Sequence, residues 1–229
     1  MTLQAALAQL KLAGTAQNRK IYARHGVSDD MYGVSYAKLE KLRKLISIDH
    51  ELALALWRTG NHDARVLATK IADPNQATIK LLDSWKNDLA NCVITDAFSA
   101  YVGTTRLAQK RMELWTRSRR EWIGRAGWLL LAGLAIGEAD WPDHFFEDFL
   151  ENIEDRIATG PNRTRDAMNA ALIAIGMRNS RLEQKAIAAA RRIGKIEVDH
   201  GQTSCKTPDA EGYILKARRH KVRRRASAC

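Results

Sequence analysis

The chain has 229 residues, a net charge of +11 and a pI near 9.8, with 45% hydrophobic and 28% charged residues. That composition belongs to one large or two small globular domains and excludes a disordered or fibrous chain. No apolar run approaches the ~20 residues of a membrane span, and three widely spaced cysteines (Cys92, Cys205, Cys229) exclude a disulfide framework, which suits a reducing cytoplasm.

In chain order, the N-terminal MTLQAALAQLKLAG lacks a basic start and a cleavage site, so it reads as a short helix and not as a signal peptide. Tyr36–Ile46 puts Leu39, Leu42, Leu45 and Ile46 on one helical face. Asp49 is placed to cap a helix running to Arg58, and Asn61 to cap the next, HDARVLATKIA, which Asp73-Pro74 ends. Helical periodicity then continues over Gln76–Lys86, Asp88–Val102, Thr105–Thr116, Ser118–Gly137, Pro142–Ala158, Arg163–Met177 and Ser180–Ile193. Ser118 and Glu121 have the spacing of a capping box, and Pro142 and Pro208 suit first-turn positions. The predicted fold is therefore all-α, about ten helices of roughly 10–18 residues with no strand. Helix pairs recurring every ~35–45 residues point to a curved HEAT- or armadillo-like α-solenoid with a concave basic groove, the alternative being a compact bundle.

Residues 1–215 read as that helical domain. Residues 216–229 read as a mobile basic tail: Lys216, Arg218, Arg219, Lys221, Arg223, Arg224 and Arg225 carry seven of the eleven net positive charges, leaving +4 for the rest. A like-charged terminal block attracts polyanions but carries no chemistry of its own.

Two charges stand in apolar company. Arg125 interrupts "EWIGRAGWLLLAGLAIG", a run whose Trp122, Leu129 and Leu130 share a stripe. Glu121, four residues earlier, offers an ion pair in the favourable order, and a ligand is the alternative. Asp96 in "LANCVITDAFSAYV" falls in line with Leu89, Val93 and Ala100, either as a buried partner for an arginine or as a carboxylate on a groove wall. Arg163, Arg165 and Arg178 frame an apolar face in "NRTRDAMNAALIAIGMR", as a solvated rim or as phosphate contacts. His62 and Asp63 read as a helix start. Asp199, His200 and Cys205 share a loop without any familiar zinc spacing, so no metal is expected. No phosphate-cradling glycine loop, nucleophile elbow or HExxH motif occurs.

Taken in order, "ALALWRTGNHDARVLATKIADP", "VITDAF", "EWIGRAGWLLLA" and "NRTRDAMNAALIAIG" resemble the AlkD-type DNA alkylation repair family, from about Asn18 to Ile193. The resemblance implies a HEAT-like solenoid that cradles duplex DNA and a glycosylase that releases N3- and N7-alkylated purines. It implies that Asp96 is the catalytic carboxylate and Arg125 a DNA-contacting arginine, with Arg163 and Arg165 as further DNA contacts. The family's glycosylases carry a tryptophan where this chain has Cys92 and a second near Ala170; Trp85, Trp122 and Trp128 are the candidate replacements, Trp122 and Trp128 as aromatic contacts. An alkylated purine leaves as a neutral base, so the chemistry needs no cofactor and no general acid, only stabilisation of an oxocarbenium-like sugar. A carboxylate at about 4 Å in an effective dielectric near 20 supplies about 4 kcal/mol, on the order of a thousandfold in rate. The expected partner is duplex DNA containing alkylated bases, bound by a monomer in the cytoplasm at the nucleoid.

Overall fold

Short polar side chains open most of the helices. In the computed structural model, Thr2, Thr15, Asp49, Asn61, Thr78, Asn91 and Asn179 each accept a hydrogen bond from the backbone N–H three residues on. This satisfies one of the donors that a helix start leaves unpaired. The structure describes the backbone of residues 1–28, 30–137 and 140–226, and side chains through 218. Among these residues there is helix and turn but no strand. No helix is long and apolar enough to cross a membrane.

The chain divides into two compact units, Met1–Ala108 with His200–Ser204, and Gln109–Asp199 with Cys205–Cys229. The first holds α1 (Leu3–Ala13), α2 (Ala16–Arg24), α3 (Tyr36–Ile46), α4 (His50–Arg58), α5 (His62–Ile71), a 3-10 turn (Pro74–Gln76), α6 (Ile79–Asn87) and α7 (Cys92–Gly103). Helix α5 is its centre: it packs on α3, α4 and α7, and Ala64, Leu67, Ala68 and Ile71 are wholly buried. Trp57 and Trp85 stack face to face, centroids 4.1 Å apart, tying α4 to α6.

The second unit holds α8 (Ala108–Trp115, starting at the boundary), α9 (Glu121–Ile136), α10 (Asp143–Arg156), α11 (Asn162–Gly176), α12 (Ser180–Ile193) and α13 (Ala210–Ala226). Its helices alternate between two layers. Helices α9 and α11 run parallel, because Glu121 meets Arg163 at their starts while Arg178, just past α11, reaches the carbonyls of Leu134 and Ala135 at the end of α9. Helices α10 and α12 are parallel in turn, Asp143 meeting Asn179, Glu147 meeting Arg181 and Lys185, and Glu154 meeting Arg192. Parallel neighbours joined through an antiparallel helix are the stacking of helical repeats. Close approach of α9 depends on Gly127, where a Cβ would overlap the backbone of Trp115 and Thr116.

Tyr36–Ile46 and Ser180–Ile193 form helices with the predicted ends, whereas several others start later. Helix α7 begins at Cys92, not Asp88, because Asn91 takes the cap and leaves Leu89 outside the helix. The Ser118–Glu121 capping box does not form. Ser118 Oγ accepts from Arg120 N, and the Glu121 carboxylate instead accepts from Arg163 N at 2.7 Å, capping the start of α11. Helix α2 was not anticipated. The segment expected as a mobile tail continues α13 as far as Ala226. Ile214 is buried against Gly176, and Arg218 pairs with the buried Glu183 of α12. The side chains of Arg219, Lys221, Arg223, Arg224 and Arg225 lie outside the described residues.

Candidate functional site

In the first unit a buried carboxylate builds the entry to α3. Asp63 Oδ2 accepts from the backbone N–H of Tyr32 (2.7 Å) and Gly33 (2.9 Å), and its Oδ1 from Val34 N (2.8 Å). Gly33 has φ 79°, which brings successive N–H groups onto one anion at little steric cost. The segment so fixed delivers Tyr36, the first residue of α3.

Tyr36 is 45% exposed, and the Lys70 ammonium lies 5.4 Å from its ring centroid. Burial of its hydroxyl, then the negative charge of Asp96 and then Cys92, push the Tyr36 pKa up to about 12. The exposed Tyr36 and Asp96 and the half-buried Lys70 thus bring together a ring, a carboxylate and an ammonium. Lys70 is shared with Glu40, 3.8 Å away.

Asp96 itself is exposed, which corrects its placement within an apolar stripe. The buried face of α7 runs through Cys92, Thr95, Phe98, Ser99 and Val102. Val93, Asp96, Ala97 and Ala100 form the outer face, and its small apolar residues imitate a core stripe in the sequence. Cys92 is buried and its Sγ lies 3.6 Å from the His25 carbonyl, so it points inward where the family's glycosylases carry an indole.

In the second unit Arg125 is held internally. Its side chain is 7% exposed, and Nη1 donates to Asp166 Oδ2 at 2.8 Å and to the Arg163 carbonyl at 3.1 Å. Thr164 Oγ1 donates to the Glu121 carbonyl alongside, at 2.9 Å. The guanidinium to which the resemblance gives a DNA contact joins α9 to α11 through Nη1. Asp166 is thus a partner of Arg125, while Glu121 Oε1 accepts from Arg163 N at the α11 start.

Arg163 and Arg165 are half-buried at the first turn of α11, with Arg165 Nη2 3.5 Å from Asn162 Oδ1. Arg178 is drawn inward, donating to α9 carbonyls with its guanidinium 4.4 Å from the Phe146 ring. Trp128 is 0% exposed and packs edge-on against Phe149, so it offers no face to a nucleic acid. Trp122 remains half-exposed on α9, and Ala170 half-exposed on α11. Asp199 bonds Asn162 through its backbone, Thr203 donates to the His200 carbonyl, and Cys205 is exposed. Among the described residues no group of three His, Cys, Asp or Glu side chains is placed to hold a metal ion. Tyr36, Lys70 and Asp166 were missed by the sequence reading, since each acts through a residue distant along the chain.

Comparison with known proteins gives this arrangement a context. The model of the family described as DNA alkylation repair enzyme matches residues 3–211. Uncharacterised proteins of Listeria innocua and Listeria monocytogenes are each 31% identical over 212 residues, covering 87% of this chain and 89% of theirs. A solved structure superposes with a TM-score of 0.89 at 27% identity, covering 96% of this chain and 95% of its own. It is described as representing a new family related to the HEAT-like repeat DNA glycosylases with affinity for branched DNA structures. The all-helical fold is accordingly of the HEAT-like repeat kind, and the chain belongs to the DNA alkylation repair enzyme family.

Proposed function

We propose that this protein binds DNA as a monomer at the nucleoid and hydrolyses the N-glycosidic bond of N3- and N7-alkylated purines. The observation that carries the reading is Asp96: a carboxylate on the outer face of α7, beside a half-exposed tyrosine ring. As the cationic base departs, positive charge passes to the sugar, and a fixed carboxylate beside it stabilises that charge while orienting the attacking water. Tyr36 offers the apolar face that a deoxyribose packs on, from a different helix than the absent indole. In the second unit Arg163 and Arg165 meet phosphates, and Arg125 positions them through its hold on the Arg163 carbonyl and Asp166. The test is release of 7-methylguanine or 3-methyladenine from methylated duplex DNA. Release by the wild type and its loss in Asp96→Asn support the reading, and an equally inert pair refutes it.

A second reading is binding without excision. It is favoured by the inward-turned Cys92 and by Ala170 at the two indole positions, and by the solved relative described by its affinity for branched DNA. It predicts salt-sensitive binding to duplex or branched DNA with no base released.

A further inference from the structure

The second unit carries a cleft of about 320 Å³ that the preceding chemistry does not use. That is the lower end of the ~300–1,000 Å³ typical of ligand sites. Phe145 and Phe149 of α10 supply its apolar walls over the buried Trp128 of α9; Arg117, after α8, and Arg156, at the end of α10, supply its cations. The rings are set at angles: Trp128 and Phe149 meet at 87° with centroids 5.9 Å apart, and Phe149 and Phe145 at 66° and 5.2 Å. Phe145 and Phe149 are half-exposed, so part of their ring area faces the opening.

The cations are unusual in their partners. The Arg156 guanidinium lies 5.8 Å from the buried Trp128 ring, and among the described residues it forms no ion pair. Burial and the nearby charge of Arg119 lower its pKa, so the guanidinium stands among like charge. Arg117 is exposed and likewise forms no ion pair among the described residues. Helix partners elsewhere in this unit neutralise their arginines, as Glu154 does Arg192 and Glu211 does Arg191. With no ion pair among the described residues, these two guanidinium groups offer donors to an anion, in a lining that also holds the Glu113 and Asp148 carboxylates. The Asp148 carboxylate and the Asn152 amide, whose Nδ2 also donates to the Asp148 carbonyl at 2.7 Å, are groups able to meet the polar edge of a heterocycle.

From this combination of rings, polar edge groups and guanidinium groups, we infer that the cleft binds a nucleotide unit whose base is unstacked. The base lies against Phe145 and Phe149, its edge meets Asp148 and Asn152, and its phosphate is held by Arg117 and Arg156. Aromatic faces beside cations are how unpaired strands are gripped without sequence preference. A perfect duplex, with its bases stacked away, gains nothing from the rings. The site is independent of Asp96 and of the excision chemistry.

The test is fluorescence anisotropy of a labelled single-stranded octanucleotide and of a labelled perfect duplex, with wild type, Arg117→Ala and Arg156→Gln. Arg117 is exposed, so its variant folds, and thermal unfolding of both variants checks that point. The expected result is about tenfold weaker octanucleotide binding in each variant, with duplex binding changed less than about twofold. Unlabelled AMP in competition separates the sources: displacement identifies a free nucleotide as sufficient, and no displacement identifies a strand. Octanucleotide affinity unchanged in both variants overturns the inference, as does an equal loss on both DNAs, which marks general charge attraction. Duplex binding and base release, measured on the same samples, succeed or fail separately.

Discussion

Asp166→Ala tests the internal role of Arg125. At 2.8 Å and an effective dielectric near 20, the Arg125–Asp166 attraction is about 6 kcal/mol before solvation is counted. Most of that offsets the desolvation of two groups whose side chains are 7% and 21% exposed. Removing one partner strands the other, which costs about 3–5 kcal/mol for a fully buried pair. Partial exposure of Asp166 and the remaining bond to the Arg163 carbonyl put this case at about 2–3 kcal/mol. For a chain of this size that lowers the melting temperature by roughly 5–10 °C, read by circular dichroism at neutral pH. Adding Arg125→Met removes the stranded cation while keeping an apolar stem, so the double variant melts above Asp166→Ala alone. A shift under about 1 °C for Asp166→Ala, or a double variant no better than the sum of its parts, refutes the internal-pair assignment.

Other expectations follow from the same geometry. Asp63→Asn places an amide where two oxygens accept three backbone N–H groups, and loses about 2–3 kcal/mol of stability in denaturant unfolding. Glu121→Ala removes the acceptor at the start of α11 and costs about 1 kcal/mol, while Ser118→Ala, outside any capping box, costs much less. Tyr36 has a folded pKa raised to about 12, so the fold favours the protonated hydroxyl. That contribution is whole below the ordinary tyrosine pKa of about 10 and is lost as pH rises from there toward 12. Absorbance titration at alkaline pH against Tyr36→Phe isolates this step, and Asp96→Asn moves it to lower pH.

The sequence shows most clearly what local rules control. Asp49, Asn61 and Asn179 are legible as caps because a short acceptor three residues before a free N–H satisfies it wherever the helix lies. Local rules mislead where a side chain has a distant competitor. Glu121 has the spacing to cap its own helix, yet Arg163 N, 42 positions away, takes it. Arg125 has Glu121 within reach along the helix, and α11 brings it Asp166 from 41 positions away. The orientation of α7 is a different failure: Val93, Ala97 and Ala100 are apolar yet small, so period alone gives both faces nearly equal weight. The pairing of Arg218, at the start of the basic C-terminal segment, with Glu183 of α12 is another contact that local rules do not show. For the proposed site, the resemblance points to Asp96, whereas the Tyr36 beside it depends on how Asp63 folds a loop 29 residues before it.

The decisive measurement is single-turnover release of 7-methylguanine from methylated duplex DNA, comparing wild type with Asp96→Asn at matched DNA occupancy. Stabilisation of the developing sugar cation by one carboxylate predicts a rate ratio on the order of a thousand, with DNA affinity little changed. Equal rates at equal occupancy, whether both fast or both indistinguishable from uncatalysed loss, contradict a catalytic role for Asp96.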